Sequence, residues 1–277
     1  HGSTLQLASA SHDDDTMEQL LRKLDDEDRD PAFPPQDPLS AYLEWNEVPF
    51  QIAVEQAGRN IRRGLMSKAV LARSVSVKAE RDINVHRMMS TLDELYPRCH
   101  LYAQAPDSEE CFVSSTPERM VEVRNGALRT AALAGSATTG RTLVEEQQNR
   151  RTLQTNSKLW REHSMVAEMI HGALESISDE VILAVPEIVR LRNVQHLSTP
   201  ITARLKADKG FVDALLALHP TPAVCGTPQA AAMELIRRLE QEPRGLYAGV
   251  AGWLDLAGNG DAAVMIRSGR ILRREAQ

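Results

Sequence analysis

The stretch ECFVSSTPERMVEVRNGALRTAALAGS, residues 110–136, decides how this chain folds. Asn125-Gly126 is a strong two-residue hairpin signal, because a type I′ turn needs positive φ at both central positions and Asn and Gly tolerate it. Strands are expected on both sides of that turn. Thr116-Pro117 makes a second, tight turn upstream, and Glu118 lies in it. The segment GLYAGVAGWLDLAGNGDAAVMIRSGRILRRE (245–275) reads as another hairpin region, turning at Gly258-Asn259-Gly260. Between these lie further regular segments. KAVLARSVSVKA (68–79) reads as one long strand, and VRLRNVQHLSTPITARL (189–205) returns to strand. Helical spacing marks PFQIAVEQAGRNIRRG (49–64), most of 142–177, DALLALHP (213–220) and PQAAAMELIRRLEQEP (228–243). Hairpins separated by helices predict an α+β fold of antiparallel sheets in a sandwich flanked by helices.

Two parts are expected along the chain. Residues 1–44 read as an acidic, proline-rich arm or linker with a short amphipathic helix near Met17–Leu24, and 45–277 as the folded domain. With 42% hydrophobic and 25% charged residues the composition is that of a water-soluble globular protein. A net charge of −6, without basic clusters among aromatics, argues against nucleic acid as a partner. No apolar run approaches the ~18 residues of a membrane span. Cys99, Cys111 and Cys225 show no C-x-x-C spacing, which suits free thiols in a reducing compartment, cytoplasm or plastid stroma.

Several residues stand out chemically, each with an ordinary reading beside the functional one. Lys68 opens a strand among apolar neighbours, where burial would make it a general base; a strand-edge lysine in water is the ordinary alternative. Glu118 in its turn is either presented by a rigid sheet or merely solvated. Arg267 ends AAVMIRS, where its fork could take a carboxylate or simply edge the strand. Gly135 and Ser136 form a small-residue loop that exposes N–H groups to anions, or a plain turn. The loop ALHPTPAVCGTP (217–228), with three prolines, specifies a rigid connection. His196 reads as a hydrogen-bonded core histidine. In the helix 155–170, Leu159, Glu162, Val166 and Ile170 share one stripe, so an apolar face carries a carboxylate that needs a partner.

Taken together, KAVLARS, STPERMVE, ALAGSATTG, SKLWREHSMVAEMI, NVQHLSTPI, LHPTPAVCGTP and RGLYAGVAGWLDLAGNGDAAVMIRS resemble the chorismate-utilising enzymes, and within them the isochorismate synthase branch. The resemblance covers roughly residues 45–268. It implies Mg²⁺-dependent addition of water to the chorismate ring with loss of the 4-hydroxyl. By the same resemblance Lys68 is the base, Glu118 the acid and Glu162 a Mg²⁺ ligand; Arg267 and Tyr247, helped by Gly135 and Ser136, bind a chorismate carboxylate.

Two departures from the family pattern qualify these expectations. The family's K-D-x-x-E-H reads here Lys158-Leu159-Trp160-Arg161-Glu162-His163, so Leu159 replaces an acidic residue. Relative to the family the chain also reads as incomplete at both ends, lacking the A-G-x-G-I-V and E-W-x-E-T segments after Gln277. The alternative expectation is therefore a non-catalytic relative, a structural or assembly subunit whose sheet edges a protein partner covers. A salicylate synthase is a third reading.

Overall fold

The computed structural model describes residues 41–44, 47–106, 109–140, 142–191, 194–240 and 242–277; residues 1–40 of the arm, its expected helix included, lie outside them. The first third runs β1 (Ala41–Glu44), α1 (Glu47–Arg62), β2 (Lys68–Ala69), β3 (Ser76–Ala79), α2 (Val85–Leu95) and β4 (His100–Gln104). Next come β5 (Glu110–Thr116), β6 (Arg119–Arg124), β7 (Ala127–Thr138), α3 (Leu143–Thr155) and α4 (Ser157–Glu175). Then follow β8 (Ser178–Leu183), β9 (Glu187–Arg190), β10 (Val194–Leu205), α5 (Phe211–Leu218), β11 (Gly226–Thr227) and α6 (Gln229–Leu239). The chain closes with β12 (Val250–Leu254), β13 (Gly260–Val264), β14 (Ser268–Leu272) and β15 (Glu275–Ala276).

These strands form three antiparallel sheets. One has the order β1-β3-β15-β14-β5-β4; a larger one runs β12-β13-β6-β7-β10-β8, with β9 also on β10; a two-stranded ribbon joins β11 to β2. The α+β sandwich expected from the hairpin pattern is present. Regular structure starts earlier than Trp45, since β1 pairs with β3 from Ala41 onward.

The hairpin at Asn125-Gly126 forms as expected. Arg124 pairs with Ala127, and Asn125 and Gly126 take φ of 51° and 74°, the left-handed pair of a type I′ turn. Behind it, Val121, Val123, Leu128, Ile201 and Val264 pack against Val166, Ile170 and Leu174 of α4 and against Phe211, Ala214 and Leu218 of α5. The stripe read on α4 therefore serves two purposes: Val166 and Ile170 are buried, whereas Leu159 and Glu162, two turns and one turn before Val166, are half-exposed. A side-chain oxygen of Asn156 caps this helix by accepting from the N–H groups of Lys158 and Leu159.

The single strand expected over 68–79 is two strands in two different sheets. Lys68 and Ala69 pair with Thr227 and Gly226, while Ser76–Ala79 pairs with β1 and β15. Between them Val70 O and the Ala72 N–H bond to the side chains of Arg244 and Glu240 rather than to a strand. An apolar, β-branched run does not show which groups its backbone will meet.

At Gly126 a Cβ would meet nothing within 4 Å, so substitution there tests backbone strain alone. Gly126→Val should lower stability by about 1–2 kcal/mol in urea unfolding, the cost of a branched side chain in left-handed backbone. Gly126→Asn should cost clearly less; equal losses would refute the turn assignment.

Candidate active site

The chain passes twice between the two larger sheets, and the two crossings lie side by side. In the first, β5 leaves the six-stranded sheet and β6 enters the seven-stranded one through Pro117 and Glu118. In the second, β13 passes to β14 through Met265, Ile266 and Arg267. Backbone hydrogen bonds staple them: the Val264 N–H donates to Glu118 O at 2.9 Å, and the Ser115 N–H to Arg267 O at 3.2 Å. The hydroxyl of the buried Ser114 donates to Ile266 O at 2.9 Å. Arg267 takes φ of 51°, a conformation rare for a non-glycine residue and found where surrounding contacts impose it.

A cleft of about 240 Å³ opens at these crossings, lined by Lys68, Glu118, Gly135, Ser136, Glu162 and Arg267 together with His196, Ala223 and Ile266. Six of the seven residues singled out in the sequence thus come together from segments far apart in the chain. Tyr247 is not among the lining residues. Its ring packs on the main core, with the Arg244 guanidinium 5.8 Å from the ring centre.

Burial acts oppositely on the two proton-transfer candidates. Desolvation pushes the Glu118 carboxyl up to about 7, and the nearby Lys68 charge only partly offsets this. Desolvation lowers Lys68 below its ordinary value of 10.5, against the opposing pull of Glu162 and Glu118. Burial thus shifts both groups in the direction of their neutral forms, Lys68 downward and Glu118 upward.

A β-bulge supplies the far wall. His196 pairs with Ser136 and Leu197 with Ala134, so Gly135 is the extra residue, at φ of 77°. A Cβ there would sit 3.2 Å from Leu159 O and 3.3 Å from Leu197 Cδ1. The bulge turns Ser136 and His196 into the cleft, where Ser136 Oγ and His196 Nδ1 lie 2.7 Å apart. Burial and the charge of Arg267 depress His196 to about 4, so its ring is neutral near pH 7, and buried Nε2 has no partner among the described residues. His196 is therefore a cleft residue rather than the core histidine expected. The core histidine is His163, whose Nε2 meets Thr199 Oγ1 at 2.7 Å and whose Nδ1 meets Ala134 O at 3.2 Å.

Glu162 is not sealed in the core. Its side chain is 36% exposed, and Lys158 lies 4.0 Å from its carboxylate as an ion-pair partner. Mg²⁺ needs several oxygen ligands. Glu162 offers one carboxylate and Leu159, one turn away, none; no group of three or more His, Cys, Asp or Glu able to hold a metal occurs among the described residues. These side chains do not by themselves compose a Mg²⁺ site.

Comparison with known proteins places the chain in a family. The sequence model of the chorismate binding enzyme family matches residues 3–277. The salicylate biosynthesis isochorismate synthase of Pseudomonas aeruginosa is 39% identical over 222 residues, 79% of this chain and 46% of that protein. The solved structure of MenF, the menaquinone-specific isochorismate synthase of Escherichia coli, superposes with a TM-score of 0.80 at 31% identity, over 88% of this chain and 58% of that one. Anthranilate synthase component I of Streptococcus pneumoniae gives 0.79 at 28% identity, covering 96% and 60%. The chain spans about half the length of the curated relatives it matches. It belongs to the chorismate binding enzyme family.

Proposed function

We propose that the cleft binds chorismate and converts it to isochorismate. The observation that carries this reading is the pairing of Lys68 and Glu118 in one cleft, each shifted toward the protonation state the reaction needs. The Lys68 amine takes a proton from water as the water oxygen bonds to a ring carbon. The ring double bonds shift, the C4–O bond breaks, and Glu118 gives its proton to the departing oxygen, which leaves as water. One water enters and one leaves, so the change is an isomerisation without oxidant or reductant. Arg267 offers its guanidinium to a substrate carboxylate, helped by the Ser136 hydroxyl and the Gly135 backbone. His196 Nε2, neutral and unpartnered, supplies a further hydrogen bond. A Mg²⁺ ion in such a site would neutralise substrate carboxylate, with Glu162 as its one contact from this helix face.

A second reading rests on Leu159. Where an acidic residue would add an oxygen donor beside Glu162, the leucine packs its Cβ 3.6 Å from the position a side chain at Gly135 would occupy. On that reading the chain is a non-catalytic relative with a structural or assembly role.

Turnover of chorismate by the purified chain with millimolar Mg²⁺, products separated by chromatography, decides between the two. Isochorismate should form with a bell-shaped pH dependence, because neutral amine and protonated carboxyl coexist in only one protonation state of the pair. Lys68→Ala and Glu118→Gln should each lower kcat by roughly 10²–10⁴-fold. No product from folded wild-type chain would favour the non-catalytic reading.

Stability supplies an independent check. Glu118 binds its proton more tightly in the folded chain, up to about 7 against an ordinary 4.5. The folded state is therefore progressively penalised as pH rises from about 4.5 through 7. Glu118→Gln removes that penalty. The variant should gain on the order of 3 kcal/mol over wild type at pH 8, at 1.36 kcal/mol per pKa unit, and little at pH 4. Thermal melts at pH 4, 6 and 8 measure this; a difference independent of pH would contradict a buried, raised carboxyl.

A further inference from the structure

Lys68 stands on a ribbon too short to hold itself. β2 and β11 contribute two residues each, and flanking bonds add little: the Ser67 N–H donates to Thr227 O at 2.9 Å and the Val70 N–H to Cys225 O at 2.8 Å. Isolated two-stranded pairings are marginal in water.

At the open end of the ribbon Leu71 and Cys225 pack on α6, and one guanidinium bonds to the backbone of both strands. Arg244 donates from Nη2 to Val70 O at 2.7 Å, on the Lys68 strand, and from Nη1 to Val224 O at 2.8 Å, on the opposing one. Its Nε and Nη2 also fork onto Glu240 at 2.8 and 2.6 Å. Glu240 in turn accepts from the Ala72 N–H at 2.8 Å. The pair is largely enclosed, with 19% and 8% of the two side chains exposed, so its charge-assisted bonds are weakly screened. The same guanidinium lies over Tyr247. Neither Arg244 nor Glu240 lines the cleft.

We infer that Arg244, oriented by Glu240, is a positioning residue for the reaction: its guanidinium ties together the two strands of the ribbon and so sets where the Lys68 amine stands in the cleft. The inference rests on the reading of Lys68 as the base. Gly226 adds a matching constraint, since a Cβ there would fall 2.3 Å from Lys68 O, so the two strands approach more closely than a side chain at this position would allow. Lysine cannot replace this arginine, because a single ammonium cannot reach Glu240 bidentately and two diverging carbonyls at once.

The test uses Arg244→Lys and the milder Glu240→Gln, which leaves an acceptor for the Ala72 N–H. Hydrogen exchange followed by mass spectrometry should show faster exchange in peptides covering 66–73 and 224–228, with the β6–β7 hairpin unchanged. Chorismate kinetics should show kcat reduced by roughly 10²-fold, the scale of a misplaced catalytic group, with KM little altered. Folded variants whose exchange at 66–73 matches wild type, or whose loss lies in KM, would overturn the inference. If wild-type chain turns over no chorismate, the base assignment fails by itself. Exchange localised to the ribbon would then still uphold the tie across its strands, and unchanged exchange would refute it.

Discussion

An acid and a base are buried together where the chain passes between its two larger sheets, and the cleft depends on that burial. A carboxyl that loses water without gaining hydrogen bonds binds its proton more tightly, and an amine in the same position binds its proton less tightly. Glu118 and Lys68 experience both effects in one cleft, and their mutual attraction reduces the shifts without reversing them. The crossings produce the burial. Strand residues have ladder partners and a fixed face, whereas Pro117–Glu118 and Met265–Arg267 leave one sheet before joining the next, and Pro117, Glu118, Ile266 and Arg267 line the cleft.

The surrounding features hold that space open and shaped. The bulge at Gly135 turns the Ser136–His196 pair inward, and the proline-rich loop after α5 delivers Ala223 to the cleft and β11 to the Lys68 ribbon. The left-handed backbone at Arg267 and the close approach of Gly226 to Lys68 mark positions where local preference yields to the site. Away from the cleft, the packing of α4 and α5 on the seven-stranded sheet is ordinary apolar core.

How much of this was legible depends on the range of the interactions involved. The Asn125-Gly126 hairpin, the helix ending before Gly64 and the apolar stripe of α4 are set by local conformational preference and spacing, and all three appear where the residues place them. The grouping of Lys68, Glu118, Gly135, Ser136, Glu162 and Arg267 is non-local; it came from resemblance, and composition alone offered an ordinary alternative for each. What escaped was decided by pairing partners that no local window contains. The run 68–79 looks continuous because its interruption is made by Arg244 and Glu240, more than 160 positions away. His196 looks like core because its strand is apolar, and only the bulge opposite shows which way it faces. Glu162 looks buried because its stripe is; it sits where the stripe runs out of sheet to cover it.

The most direct measurement is the titration of the Glu118 carboxyl itself, followed by ¹³C NMR of side-chain-labelled glutamate and assigned with Glu118→Gln. The account predicts a midpoint near 7 in wild type. In Lys68→Met it predicts a higher midpoint, because the removed charge had favoured the carboxylate. A midpoint near 4.5, insensitive to residue 68, would mean that the carboxyl is solvated and that the cleft does not hold an acid and a base together.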